Sequence, residues 1–391
     1  MSFAPWQQAA WERVEAPLRE GRLGHALLFA GPPRMGKVEV AQALAARLLC
    51  SSPVAVPSPH PSPGGRGSAG AEREMLTDTS VATFACGACR ACGLLKAGTH
   101  PDYQHVTFEL TEKGDKYRSE LVVDQIRRLG EWFSKTPQFS GAQVALVEPA
   151  DMLNTAAANA LLKTLEEPAG NRYLLLVSGR AGRLPATIRS RCLRIEFALP
   201  TREDARAWLA SRGHGEAAAN TALDAARGHP GLADAWLSQG GLALRESVRS
   251  ELDAVGRGRA GAIETAQKWL ADEHGEQRLR FAADLVLDAA AQALGGRGMP
   301  APGGASSKRA STAQAPDEGA VQAPVGRVAT FDVAITTTDV AALAAWFDAL
   351  NRMRAQLAAP LRHDLVLAGL LRDWRTMVQS GPGPVQGGRQ R

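Results

Sequence analysis

The first two hundred residues alternate between short continuous apolar runs and longer stretches with helical spacing. His25–Ala30 (HALLFA) is a short apolar run that ends in Gly31-Pro32-Pro33, and a helical stretch, Lys37–Leu49, follows it. Leu121–Leu129 also has helical spacing. Gln143–Val147 (QVALV) and Tyr173–Val177 (YLLLV) are two further buried-strand candidates. Asn154–Leu165 (NTAAANALLKTL) reads as a strong helix, which Pro168 ends. Wholly apolar strands alternating with helices predict an α/β domain whose parallel sheet is covered on both faces. After Pro200 the strand signals nearly vanish. Arg202–Ser211, Ala217–Arg227, Arg278–Leu294 and Asp339–Leu357 read as helices. The pattern therefore predicts an α/β domain over 1–200, a small helical domain over 201–240 and a helical C-terminal domain over 241–391.

Two segments break the pattern. One runs roughly from Ser51 to Thr83, with its centre at 53–82, and contains SPVAVPSPHPSPGGRGSAG. The other covers about 295–328 and contains GGRGMPAPGGASSKRASTAQAP. Both are poor in large apolar residues and are expected to be disordered insertions, since they bury too little surface to offset the entropy of ordering. Composition changes little else. At 391 residues, 45% of them hydrophobic, the chain suits two or three globular domains. The net charge of +5 is spread along the chain, which permits contact with nucleic acid without arguing for it. The longest apolar run, Val340 to Phe347, is far shorter than a bilayer span, and the N-terminus lacks a basic segment followed by an apolar one. A cytoplasmic protein with no membrane association is expected.

Candidate chemistry begins at Gly31-Pro-Pro-Arg-Met-Gly36-Lys37-Val38, which fits G-x-x-x-x-G-K between a predicted strand and a predicted helix. Glycines let backbone N–H groups wrap phosphate oxygens at a helix N-terminus, and Lys37 would reach the terminal phosphates. A turn that merely contains Gly and Lys is the competing reading, and the flanking strand and helix disfavour it. The next position needs a Ser or Thr hydroxyl for Mg²⁺, and Val38 has none. Beyond the second apolar strand the sequence is Glu148-Pro149-Ala150-Asp151. Glu148 remains available to a metal, but proline stands where a water-activating glutamate belongs, and proline cannot act as a base. Asp151, two residues further on, is expected to point elsewhere. ATP binding is thus predicted to be weak or absent, and efficient hydrolysis is not expected.

Cys86-Gly-Ala-Cys89-Arg-Ala-Cys92 places three thiols in one short loop, and Cys50 ends the helix after the phosphate loop. Four thiolates in a tetrahedron make a closed structural zinc site, with no open position for chemistry. A redox dithiol is the alternative, and it suits three clustered cysteines plus a fourth less well. Cys192 is left outside the cluster.

Beyond the third strand lie Ser178 and an arginine-rich turn with Arg183, Arg189, Arg191 and Arg194, which in bare physical terms would simply solvate the surface. Taken together, Arg22-Leu-Gly-His-Ala-Leu-Leu-Phe, the cysteine loop, Thr99-His-Pro-Asp102, Asn154 through Pro168 and Thr187-Ile-Arg-Ser-Arg-Cys192 resemble the delta-prime subunits of the bacterial DNA polymerase III clamp loader. The resemblance covers about residues 20–200, less the insertion, and continues weakly beyond. The motor subunits of the same loader share much of the pattern but keep an intact G-K-[ST] and an acidic pair, both absent here.

This resemblance implies an AAA+ fold with a zinc module at about 50–100, a helical lid and a C-terminal collar that assembles the subunits into a ring. It implies a stator that does not hydrolyse ATP, with Gly31, Gly36 and Lys37 in a degenerate nucleotide pocket and Ser178 in a sensor-like position. Arg191 would act as an arginine finger in the neighbouring site. The implied partners are the motor (gamma/tau) and delta subunits, the sliding clamp and primed DNA. Leu232, in Gly228-His-Pro-Gly-Leu-Ala233, takes the place of a sensor arginine, as befits an idle pocket. Two other classes stay open: an active AAA+ motor, and a zinc-containing nucleic-acid-binding module. Against the module, the cysteine loop carries only Arg90 and Lys96 and no aromatic platform for stacking.

Overall fold

Strands buried on both faces need helices on both sides, and the first half of the chain supplies them in alternation. The computed structural model describes residues 3–57, 81–111, 113–114, 116–139, 141–167, 170–293, 340–357, 359 and 361–379. Two compact units emerge: Met1–Arg212 with Gly228–Leu232, and Gly213–Arg227 with Ala233–Arg391.

The first unit opens with helix α1 (Pro5–Arg19), followed by β1 (Ala26–Ala30) and α2 (Lys37–Leu49). A hairpin of β2 (Val54–Pro57) and β3 (Val81–Phe84) and the short helix α3 (Arg90–Lys96) come next. Then follow β4 (Tyr103–Val106), α4 (Val123–Phe133), β5 (Gln143–Val147), α5 (Thr155–Glu166) and β6 (Arg172–Ser178). The one-turn helix α6 (Ala186–Arg189), β7 (Leu193–Glu196) and α7 (Arg202–Ser211) complete it. The main sheet has five parallel strands in the order β4-β5-β6-β1-β7. Every residue of β1 and β5 is buried. Successive residues alternate between two cores, as a period of two requires. Leu27, Phe29, Val144 and Leu146 pack with α1 and α2. Ala26, Leu28, Ala145 and Val147 pack with α4 and α5.

Elements read from the sequence recur with small boundary shifts, and the α2, β5 and α7 spans coincide with the reading. Besides the short elements β2, β3, α3 and α6, three more escaped it. Strands β4 (YQHV) and β7 (LRIE) are the two edges of the sheet. Each needs apolar side chains on fewer sides, so each reads as a mixed sequence. Helix α1 has Pro17 inside it, and only its face toward the sheet is apolar. The first insertion is also narrower than expected. Val54 and Ala55 pair with Phe84 and Thr83, so ordered chain reaches into both ends of the 51–83 segment. Residues 58–80 and 294–339, and with them most of the expected disorder, lie outside the described residues, as does Pro168.

The second unit is helical throughout its described residues. It comprises α8 (Glu216–Ala225), most of α9 (Pro230–Ser238), α10 (Gly241–Gly256), α11 (Ala262–Ala271), α12 (Gly275–Ala293), α13 (Val340–Ala355) and α14 (His363–Gln379). Its core holds the large rings of Trp236, Trp269, Phe281, Trp346 and Trp374, with the Trp374 indole N–H donating to the Leu252 carbonyl at 3.0 Å. Among the described residues no helix is long and apolar enough to cross a membrane.

Helix α1 is part of the core and not an appendage. Trp11 is fully buried and lies flat on Phe84 of β3, with centroids 4.8 Å apart and an interplanar angle of 10°. Trp11→Ala is expected to cost about 3–5 kcal/mol in a denaturant titration. A loss under about 1 kcal/mol, the range of an ordinary surface change, would show that α1 does not belong to the cooperative unit.

Candidate functional site

The sheet order decides where the chemistry gathers. After β1 the chain crosses to the far edge at β4, returns through β5 and β6 to pair beside β1, and only then adds β7 on the other side. The carboxyl ends of β1, β5 and β6 thus open on the same edge, where open α/β sheets carry their ligand crevices. The phosphate loop follows β1, Glu148 and Asp151 follow β5, and Ser178 ends β6.

The phosphate loop needs its glycines. Gly36 has φ 78°, and a side chain there would collide with the Gln7 amide of α1. Gly31 has φ 149°, and a side chain there would run into the Phe197 backbone. Lys37, the first residue of α2, is buried. Its ammonium donates to the Gly31 carbonyl at 2.9 Å and to the Pro32 carbonyl. Burial pushes its pKa down to about 8, against the pull of Asp151, Glu148 and Glu39 in the other direction. Other groups of the same unit fix the rest of the loop. The Trp6 indole N–H donates to the Met35 carbonyl at 3.0 Å. His229 Nδ1 accepts the Leu232 N–H, which leaves the proton on Nε2 to donate to the Pro33 carbonyl at 2.8 Å. Gly231 packs directly on the Arg34 carbonyl. Val38 turns its methyl groups into the core beside α1 and α2 and offers no oxygen.

At the end of β5, Glu148 lies 3.6 Å from His105, and Pro149 follows. Asp151 corrects an expectation. Residues Ala150–Met152 form a turn of 3-10 helix, which swings the Asp151 carboxylate back to the end of β6. One of its oxygens accepts the Ser178 hydroxyl and the Gly179 N–H, both at 3.0 Å, and the other lies 3.5 Å from Arg180 Nε. Burial acts to raise the Asp151 pKa. The hydrogen bonds from Ser178, Gly179 and Arg180 outweigh it and hold the group below the usual carboxylate range. The buried Ser178 hydroxyl is therefore committed to Asp151, and it also accepts the Arg180 N–H at 3.1 Å. The edge presents an ammonium and fixed carboxylates, with neither a metal-binding hydroxyl at position 38 nor a base at position 149.

The four cysteines come together. Cys50 caps the end of α2, Cys86 follows β3, Cys89 caps the start of α3 and Cys92 lies in its first turn. The hairpin returns the chain so that all four sulfurs lie within 4.8 Å of one another. Cys50 Sγ is 3.6 Å from Cys86 Sγ and 3.9 Å from Cys89 Sγ. Zn–S bonds of about 2.3 Å in a tetrahedron place sulfurs about 3.8 Å apart, so the donor set fits a metal ion of that kind. Backbone N–H groups of Cys86, Cys89 and Cys92 point at the preceding sulfur of the set at 3.3, 3.3 and 3.5 Å. A hydrogen bond from Ser51 lowers the Cys89 pKa to about 5, while burial and the neighbouring sulfurs push Cys92 up to about 12. Cys192 packs against the α4–α5 side of the sheet and takes no part.

Arg191 sits in the turn after α6. Its guanidinium pairs with Glu166 at 2.8 Å and donates to the Thr187 carbonyl at 3.0 Å, and 39% of the side chain is exposed. Arg194 pairs with Glu196 at 2.7 Å, and Arg183 reaches the Met152 sulfur at 3.9 Å. The sequence reading missed Trp6, Gln7, Arg180 and His229. Only Arg180 carried a signal, standing two residues after Ser178. His229 is 196 positions from the carbonyl it meets, so no local pattern could have found it.

The buried Lys37 gives the site a pH signature. Its folded pKa of about 8 lies below the unfolded value of about 10.4. Between those values the unfolded chain holds more protons, so stability rises with pH. The stability of the wild type relative to Lys37→Met is expected to increase from about pH 8 to about pH 10.4 in denaturant titrations. A difference that stays flat over that range would mean that Lys37 is not desolvated.

A family model described as "DNA polymerase III, delta subunit" matches residues 70–201. A DNA polymerase III subunit delta' from Pseudomonas aeruginosa is 39% identical over 206 residues. That match takes in 53% of this chain and spans about half of the relative's length, 52%. The subunit delta' of Escherichia coli is 34% identical over 291 residues, 74% of this chain and 76% of that protein. Among solved structures, a DNA polymerase III gamma subunit-related protein from Thermotoga maritima overlaps 95% of this chain and 99% of its own, at 13% identity. Its TM-score of 0.37 is too low to bear on the fold. The AAA+ P-loop fold expected from the resemblance rests on the parallel sheet, its phosphate loop, the cysteine module and the helical C-terminal part. By its sequence relatives, the chain belongs to the DNA polymerase III subunit delta' family.

Proposed function

We propose that this chain is the non-hydrolysing stator of a replicative clamp loader, acting in the cytoplasm beside motor (gamma/tau) and delta subunits. In this reading residues 201–240 serve as the lid and 241–391 as the collar that joins the ring. The assembled loader opens the sliding clamp and closes it on primed DNA. The observation that carries the reading is the state of the phosphate loop. Lys37 is bound to its own loop carbonyls, Trp6, Gln7 and His229 brace the rest, and Val38 and Pro149 stand where hydrolysis needs oxygens. A loop so held favours weak nucleotide binding or none, and it disfavours the active-motor reading.

Arg191 supports the other half of the proposal. Its guanidinium is held at a surface turn by one ion pair and one carbonyl, so exchange of Glu166 for a neighbour's phosphate costs little. Delivered to the adjacent site, its planar fork neutralises charge that develops on the transferred phosphoryl group. In DNA- and clamp-stimulated ATPase assays of the reconstituted loader, Arg191→Ala is expected to lower turnover by about 10³-fold. Unchanged turnover with intact assembly would overturn this role.

The four sulfurs are best suited to a structural zinc ion, which would cross-link α2, the hairpin and α3. Metal analysis of the purified full-length chain is expected to give about one zinc per chain, lost in Cys89→Ser. A folded, assembly-competent chain with no bound metal would refute the zinc assignment.

A further inference from the structure

The Arg191 guanidinium has two acceptors on its own chain, and they come from different elements. The Thr187 carbonyl of α6 accepts from Nη1 at 3.0 Å, and the Glu166 carboxylate, at the end of α5, lies 2.8 Å from Nη2. Arg194, three residues on, pairs with Glu196 of its own strand, so that contact is local. Arg191 and Glu166 meet only because the fold packs α6 on α5. The stems of the two side chains are fixed. Leu165, next to Glu166, is buried, and its carbonyl accepts the His25 Nε2–H at 3.1 Å. Ile188 of α6 is fully buried in the core that α4 and α5 close. The charged tips are both exposed, so a rotamer change is enough to part them.

Glu166 also stands where its own helix disfavours it. The last turn of a helix presents carbonyls without intrahelical partners, which attract cations and repel carboxylates. Glu166 is the last residue of α5, and a second carboxylate, Glu167, follows as the cap residue. A charge at that position does not stabilise α5. Among the described residues, Arg191 is the ion-pair partner that offsets it.

We propose that Glu166 is a positioning residue for Arg191, a latch that holds the guanidinium against its own chain and yields it to the phosphate of the neighbouring site. The inference rests on the reading of Arg191 as a finger acting in trans. A phosphate group offers the planar guanidinium fork two oxygens and more negative charge than one carboxylate, so it competes well for Arg191. An exposed ion pair is a weak hold. The latch therefore does not prevent delivery of the finger. It lowers the fraction of time for which the finger is delivered.

The test is single-turnover ATP hydrolysis by the reconstituted loader with DNA and clamp, comparing wild type, Glu166→Gln, Arg191→Ala and the double variant. Gln keeps the shape of the side chain and removes its charge. Glu166→Gln is expected to speed hydrolysis by about 1.5–5-fold at low ionic strength, the range of an exposed ion pair. The ratio of variant to wild type should shrink as salt rises, because salt already screens the pair in the wild type. In the Arg191→Ala background the same substitution is expected to change nothing, which a merely structural role of Glu166 would not give. A rate that is unchanged or lower in Glu166→Gln, or an equal change in both backgrounds, would overturn the latch alone. An Arg191→Ala loader as fast as the wild type would instead refute the finger reading, and the latch with it, so the two failures are distinguishable.

Discussion

A parallel sheet with both faces buried depends on the helices that cover it, and the first unit of this protein is organised by that constraint. Its strands send alternate residues into two cores, one closed by α1 and α2 and the other by α4 and α5. Because all five strands run parallel, their carboxyl ends open on one edge, and the phosphate loop, Glu148 with Asp151, and Ser178 follow or end β1, β5 and β6 there. The polar architecture follows from the apolar one. A loop can carry a buried ammonium such as Lys37 only where a rigid framework holds carbonyls and carboxylates around it.

That edge keeps the outline of a nucleotide site while its polar groups are turned inward. Lys37 is bound to the Gly31 and Pro32 carbonyls, and Asp151 takes the Ser178 hydroxyl and the Gly179 N–H. Each of these groups is satisfied within the chain. Val38 and Pro149 offer neither a hydroxyl nor a carboxylate at this edge.

The cysteine module is tied into the same framework and does not hang from it as a separate domain. Phe84, two residues before Cys86, lies flat on Trp11 of α1. Thr83 bonds both Glu15 and Arg47, so the hairpin is stitched to α1 and α2. Helix α1 also bears Trp6 and Gln7, which brace the phosphate loop. One helix thus packs both on the hairpin that leads to the cysteines and on the phosphate loop.

The amino-acid sequence by itself determined the alternating α/β order, the phosphate loop with its missing hydroxyl and base, and the triplet Cys86, Cys89 and Cys92. These are local patterns, set by burial periodicity and by residue chemistry at fixed spacing, so they survive without coordinates. It also marked Cys50 as a ligand, although 36 positions separate it from Cys86 and only the β2–β3 hairpin brings the two sulfurs together. Tertiary structure alone decided the rest. The edge strands β4 and β7 are half-polar because their surroundings are. Asp151 points where a 3-10 turn sends it, which strand alternation does not foretell. His229 and Gln7 take their roles from neighbours far along the chain. Such contacts depend on which surfaces meet, and no local pattern records that.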